Sequence, residues 1–202
     1  MNRLARACSL GAMSLLGAAL LSMPAVAQQP TQQNAPRTTW EPPKDAGNAA
    51  NPADVSSVDA IVTALYDVIS GPAGQKRDWN RMRSLFIPGA RLIPSRPRQA
   101  GNGAEVLVLD VEGWIERSGP LLERDGFFEK EIGRTTETFG NITHAFSAYD
   151  SRRTAQEAPF ARGINSIQLL KDGNRWWVVS IFWDFERPDN QIPQKYLNRP
   201  SR

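Results

Sequence analysis

The stretch from residue 160 to residue 186 constrains this chain most. Two apolar runs, Gly163 to Leu170 and Trp176 to Phe185, flank Lys171-Asp172-Gly173-Asn174. Asp-Gly and Gly-Asn pairs accept the positive backbone dihedrals of a tight turn, and Ile, Val, Trp and Phe suit a pleated, packed surface. The pattern predicts a long β-hairpin. Under strict alternation its second strand is apolar on both sides: Trp177, Val179, Ile181, Trp183 and Phe185 share one face, Trp176, Val178, Ser180, Phe182 and Asp184 the other. One face covers a core, and the other needs a partner.

Residues 1–27 read as a signal peptide. Arg3 and Arg6 precede an apolar run from Leu10 to Leu21, and Ala25-Val26-Ala27 supplies the small-x-small cleavage pattern. The expected product starts at Gln28 and is periplasmic or secreted. The run is short against the ~20 residues of a membrane-spanning helix, so no stable membrane anchor is expected. Cys8, the only cysteine, leaves with the signal. The formal charge falls from +3 to +1 when Arg3 and Arg6 go, which removes a global electrostatic argument for nucleic acid. A local basic run remains at Lys76, Arg77, Arg81, Arg83, Arg91, Arg96 and Arg98, with Asp78 as its one acid, and reads as a solvated face.

Residues 28–52 carry Pro30, Pro36, Pro42, Pro43 and Pro52 among Gln, Asn, Thr and Ala, the composition of a disordered linker, with Trp40 its one large apolar group. Residues 53–195 are the size of one domain, and 196–202 read as a flexible tail. Val58, Ile61, Val62, Leu65 and Ile69 recur at helical spacing after Ser56, with Asp59 completing a capping box and Gly71-Pro72 stopping the run. Asp78 caps a shorter helix with Trp79, Met82 and Phe86 on one stripe, ended by Pro88. Short strands follow at Arg91–Ile93 and Glu105–Leu109, around a loop from Ser95 to Gly103. Asp110 then caps a third helix through Trp114 and Ile115, broken at Gly119-Pro120. Strands at about 127–138, 142–153, 162–170 and 176–185 complete the chain. Helices first and strands afterwards is α+β order: a cone-shaped, curved antiparallel sheet wrapped around N-terminal helices, enclosing a cavity.

This order, with Trp79 on the second helix and the ending Asp172-Gly173-x-x-Trp176-Trp177-Val178-Val179, resembles the SnoaL-like branch of the nuclear transport factor two superfamily. The stretches Phe139-Gly140-Asn141-Ile142-Thr143-His144-Ala145-Phe146-Ser147-x-Tyr149 and Gly163-Ile164-Asn165-Ser166-Ile167-Gln168-Leu169 look like those of an exported bacterial subgroup without an assigned activity. The resemblance implies a fold rather than a reaction. The superfamily includes ketosteroid isomerase, scytalone dehydratase, limonene epoxide hydrolase and polyketide cyclases, beside transport and scaffold proteins with no chemistry. Most members dimerise through the open sheet face, which implies a homodimer here. Position 183, often histidine in related sequences, is Trp in this chain.

His144 is the only histidine, and alternation groups it with Ile142, Phe146 and Ala148, a face apolar enough to be the inner one. It is the candidate catalytic acid or base, weighed against a buried histidine satisfied by one hydrogen bond. Tyr66, Trp79, Trp114, Phe128, Phe146, Asn165, Trp177 and Trp183 are the candidate ligand-binding residues, weighed against an ordinary packed core. Tyr66, Asp67 and Asp184 do not converge as an isomerase constellation, nor do Asp110, Asp150 and Arg153 as an epoxide-hydrolase one. One histidine and no mature cysteine leave no ordinary zinc site, and no phosphate-binding glycine loop is present, so neither metal nor cofactor is expected. The leading expectation is a protein that binds a small apolar or aromatic molecule. A cofactor-free lyase, isomerase or hydrolase using His144 is the second, and a non-catalytic homodimeric interaction module the third.

Overall fold

The computed structural model describes residues 49–197, so the expected signal peptide, the expected linker through residue 48 with Trp40, and the last five residues lie outside it. Within it, α1 (Pro52–Val55) is one turn capped by Asn51, and α2 (Val58–Ile69) follows at once. The cap of α2 is Ser57, whose hydroxyl accepts from the Ala60 N–H; Ser56 instead closes α1. Asp59 is consequently free of the cap and pairs with Arg134. Asp78 caps α3 (Trp79–Leu85) as its position requires. Pro88 does not end that helix, because Phe86 already begins strand β1 (Phe86–Pro97).

Strand β2 (Ala104–Val106) pairs with β1 at the sheet edge. Asp110 caps α4 (Val111–Asp125), which runs through Pro120 rather than breaking there. Proline in a helix interior removes one hydrogen bond. Around it, Gly119 packs on the Trp79 indole, where an added Cβ would come within 3.0 Å of the ring, and Ile115 and Leu122 are buried. Tertiary packing thus carries the helix past its breaker.

Four long strands follow: β3 (Phe128–Phe139), β4 (Ile142–Arg152), β5 (Ala161–Asp172) and β6 (Arg175–Phe185). Gly140 and Gly173 take positive φ, 57° and 56°, in the two tight hairpin turns. The sheet order is β2-β1-β6-β5-β4-β3, antiparallel except for the β1–β6 pair. This is the expected α+β architecture with one parallel pair added: the helices occupy the concave side of a curved, unclosed sheet.

Two bulges decide which residues face the helices. Gln168 pairs with Ser180 and Leu169 with Val178, so Val179 is an extra residue in β6. Trp176, Val178, Ile181 and Trp183 therefore share the concave face, and the strict alternation expected for this strand is corrected at Val179. In β3, Glu131 pairs with Tyr149 and Gly133 with Ala148, leaving Ile132 extra and turning Glu129, Glu131 and Arg134 to the same side.

The basic run between residues 76 and 98 is largely consumed internally. Buried Arg77 donates to the carbonyls of Ile69, Gly71 and Leu122, bolting the end of α2 to α4. Arg81 pairs with Asp54 and Asp67, Arg83 with Glu112, and Arg96 with Glu105. Among the described residues no helix is long and apolar enough to cross a membrane.

Candidate functional site

Between the helices and the concave face lies a cavity of about 240 Å³. Leu65, Val68 and Ile69 of α2, Met82 of α3, Trp114 and Leu122 of α4, and Ile167, Ile181 and Trp183 of the sheet make it apolar. Its few polar walls come from Tyr66, Ser118, Glu129, Tyr149, Ser151 and Asn165. A second, polar crevice of about 610 Å³ opens between α2 and the β3–β4 end, lined among others by Asp59, Asp67, Glu131, Arg134 and Asp150. Tyr66 and Glu129 border both hollows and form the wall between them.

Glu129 is placed by register: it stands opposite Ser151, and the Ser151 hydroxyl donates to Oε2 at 2.8 Å. Asn165 Nδ2 faces its other oxygen at 3.5 Å. The carboxyl is half-buried by surface area because it borders two hollows, yet protein surrounds it. Burial pushes its pKa up to about 7, against the lowering effect of the Ser151 and Asn165 hydrogen bonds. A carboxyl in that range holds and releases protons at neutral pH.

Tyr66 and Tyr149 approach the same wall. Burial, reinforced by the Glu129 charge, pushes both phenols far up, so both keep their protons. The Tyr66 hydroxyl is 2.7 Å from Ser147 Oγ and accepts from Asn165 Nδ2 at 3.2 Å. Ser147 in turn donates to Glu131 at 2.5 Å. Arg134, with a side chain 5% exposed, lies 3.6 Å from Glu131 and contacts Asp59. The Tyr149 hydroxyl sits over Gly163, where a Cβ would come within 2.5 Å of that oxygen and 2.4 Å of the Asp184 carbonyl. Glycine at 163 is what leaves room for it.

Of the residues expected to bind ligand, Tyr66, Trp114, Asn165 and Trp183 line the cavity. Trp79 stands behind Trp114, with ring centroids 6.3 Å apart, and donates its indole N–H to Glu123. Phe128 borders the crevice instead. Trp177 lies on the far side of the sheet, buried under the Arg175 guanidinium at 3.2 Å. Phe146 is also on the convex face, packed 4.9 Å from Tyr196, a residue assigned to the tail.

His144 is corrected with it. The core face of β4 is Thr143, Ala145, Ser147, Tyr149 and Ser151, so alternation puts His144 on the convex side, outside the cavity. There its Nε2 lies 2.9 Å from Ser166 Oγ and its ring rests against Phe146. The carboxylates weighed as alternatives are spent elsewhere: Asp110 caps α4, Asp67 pairs with Arg81, Asp150 with Arg152, and Asp184 with Arg187.

Glu129 and Tyr149 were missed because alternation put the apolar set of β4 inward and the bulge at Ile132 was invisible. The available signal was the run of small and hydroxylated residues at Thr143, Ala145, Ser147 and Ser151, a face shaped to sit close beneath helices.

No family profile matches the chain, and no curated protein matches it. Solved structures do resemble it in fold. A nuclear-transport-factor-two-like protein of unknown function from Pseudomonas putida shares 10% identity over 72% of this chain and 96% of its own, with a TM-score of 0.49. A protein of unknown function with a cystatin-like fold from Nostoc punctiforme shares 9% over 65% and 90%, with a TM-score of 0.49. A nuclear-transport-factor-two-like protein of unknown function from Silicibacter pomeroyi shares 14% over 64% and 92%, with a TM-score of 0.44. The likeness is one of fold, at 9–14% identity.

Proposed function

We propose that the domain binds a small, largely apolar molecule bearing one oxygen function and moves a proton on it, with Glu129 as the acid–base group and Tyr149 as the donor to that oxygen. The observation that carries this reading is a carboxyl held near neutral pKa in the wall of an apolar cavity. A cavity of roughly 150 Å³ holds benzene. At about 240 Å³ the present one suits one or two fused rings.

The chemistry follows from the positions. Ionised Glu129 removes a proton from carbon next to a carbonyl, the electron pair moves onto the oxygen, and the Tyr149 hydroxyl steadies the negative charge. Glu129 then returns the proton to the same or a neighbouring carbon, which restores the carboxylate and completes an isomerisation or exchange. Return of the abstracted proton to a neighbouring carbon is isomerisation, and return after the Glu129 proton has traded with water, through the crevice it also borders, is exchange. His144, expected in this role, stands on the other face of the sheet.

Export continues to rest on Arg3, Arg6 and the Ala25-Val26-Ala27 site. A homodimer through the convex face is supported by Ile142 and Phe182, which are 60% and 46% exposed there.

The test is exchange of the α-protons of 1-indanone in D₂O, followed by proton NMR. Wild-type protein should accelerate exchange over buffer and Glu129→Gln should not. Indanone that binds yet exchanges no faster than in buffer would remove the acid–base role and leave binding alone.

A further inference from the structure

The hydrogen bonds in the wall between the two hollows have a fixed direction. A carboxylate only accepts, and a serine hydroxyl has one proton to give. Ser147 gives its proton to Glu131 at 2.5 Å. Tyr66 Oη, 2.7 Å from the same Ser147 oxygen, must then be the donor of that bond. Asn165 completes the chain by donating one amide hydrogen to Tyr66 Oη at 3.2 Å, while the other faces Glu129 at 3.5 Å. The order is Asn165 to Tyr66 to Ser147 to Glu131, and the acceptor at its end sets it. Glu131 is outside the apolar cavity; it lines the crevice, next to Arg134.

We propose that Glu131 is a positioning residue that sets the specificity of a cavity it does not touch. Through Ser147 it commits the Tyr66 proton to the wall, so a ligand oxygen meets one tyrosine donor, Tyr149, instead of two. Tyr66 presents lone pairs there, and its task is to hold the Asn165 amide against Glu129. The Tyr149 hydroxyl makes no hydrogen bond among the described residues, and it is the one kept open by Gly163. The site as built recognises a single acceptor oxygen, such as one ketone, more strongly than a group needing two donors at one atom. Removing the end acceptor releases the Tyr66 proton toward the cavity.

This inference rests on the cavity reading for its ligand measurement, and a second measurement is independent of ligand. Affinities of 1-indanone and of indane, which lacks the oxygen, are compared in wild type and variants. The preference for indanone should collapse in Tyr149→Phe and stay within about twofold in Tyr66→Phe. It should rise about tenfold in Ser147→Ala and in Glu131→Leu, which has no acceptor for the Ser147 proton, the worth of one added hydrogen bond, and adding Tyr66→Phe to either should abolish the rise. A Tyr66→Phe variant that loses the preference as Tyr149→Phe does would overturn the proposal.

Should neither compound bind any variant, the cavity reading fails, and the relay is judged by proton NMR. The Tyr66 hydroxyl proton should appear downfield with cross-peaks to the Ser147 β-protons, and move upfield in Glu131→Gln. A resonance unmoved by that substitution sinks the relay whatever the ligand does.

Discussion

One sheet carries two side chains suited to acid–base work, and its two faces treat them oppositely. His144, on the convex face, bonds to Ser166 beside Phe146. Glu129, on the concave face, stands in the wall of an apolar cavity with Tyr149, Asn165 and Ser151 around it. Histidine is the usual choice for proton transfer near neutral pH. Here the enclosure makes a carboxyl titrate in that range, and the histidine lacks an enclosed chamber. Location relative to the cavity, more than side-chain type, selects the proposed acid–base group.

The comparison breaks most sharply at Glu129 itself. Glu129→Gln keeps the shape and one acceptor oxygen, enough for the Ser151 hydroxyl but not also for the Asn165 amide, and carries no exchangeable acid. The rate of indanone α-proton exchange should fall by about 10²- to 10⁴-fold, the usual worth of a positioned acid or base. His144→Ala should leave that rate unchanged. A reversal of the two results would return the chemistry to the convex face.

The raised Glu129 pKa also makes a stability prediction with a definite sign. In the unfolded chain the group titrates near 4.5, in the fold near 7. Below the lower value the carboxyl is protonated in both states and its contribution is fully present. As pH rises through the window to 7, the unfolded chain ionises freely while the folded one holds its proton, so stability falls. At about 1.4 kcal/mol per pKa unit the loss is at most roughly 3 kcal/mol, reduced by whatever water in the hollows screens. Urea midpoints measured from pH 4 to pH 8 should show this component in wild type and lack it in Glu129→Gln. An identical pH profile in the two would place Glu129 in an ordinary solvated setting.

Much of the fold was legible beforehand, and the misplaced residues have two causes. The hairpin of β5 and β6, the Gly140 turn and the helices begun by Asp78 and Asp110 follow from local chemistry: turn residues, side-chain caps and apolar spacing. The face that each strand presents is a matter of counting, and one extra residue reverses the count. Val179 and Ile132 are such residues, and only the neighbouring strand shows them. In β4 the count was regular but the polarity misled. Ala145, Ser147 and Tyr149 lie under the helices, while apolar Phe146 faces out and is covered by Tyr196. Four of the eight candidate ligand-binding residues accordingly line the cavity, and its acid was not among the candidates.

Gly163→Ala tests how closely the concave face is fitted. Both nearest atoms, the Asp184 carbonyl and the Tyr149 hydroxyl, lie inside the closest distance a Cβ tolerates, and the first is backbone. The expected cost is about 1–3 kcal/mol in urea unfolding, with indanone affinity lowered as Tyr149 is displaced. Unchanged stability would mean that β5 and β6 separate easily at this end.

The smallest effect belongs to the convex face. His144→Ala removes one half-buried hydrogen bond to Ser166 and a tilted ring contact with Phe146, whose other side is held by Tyr196. Ser166 lines a groove on that face and keeps access to water, so the lost bond is replaced rather than left empty. The stability change should therefore stay near 1 kcal/mol, the net value of one such bond, and the indanone-to-indane preference should not move. A loss several times larger would show that His144 pins the C-terminal segment to the sheet, and a parallel loss in Tyr196→Ala would identify the contact responsible.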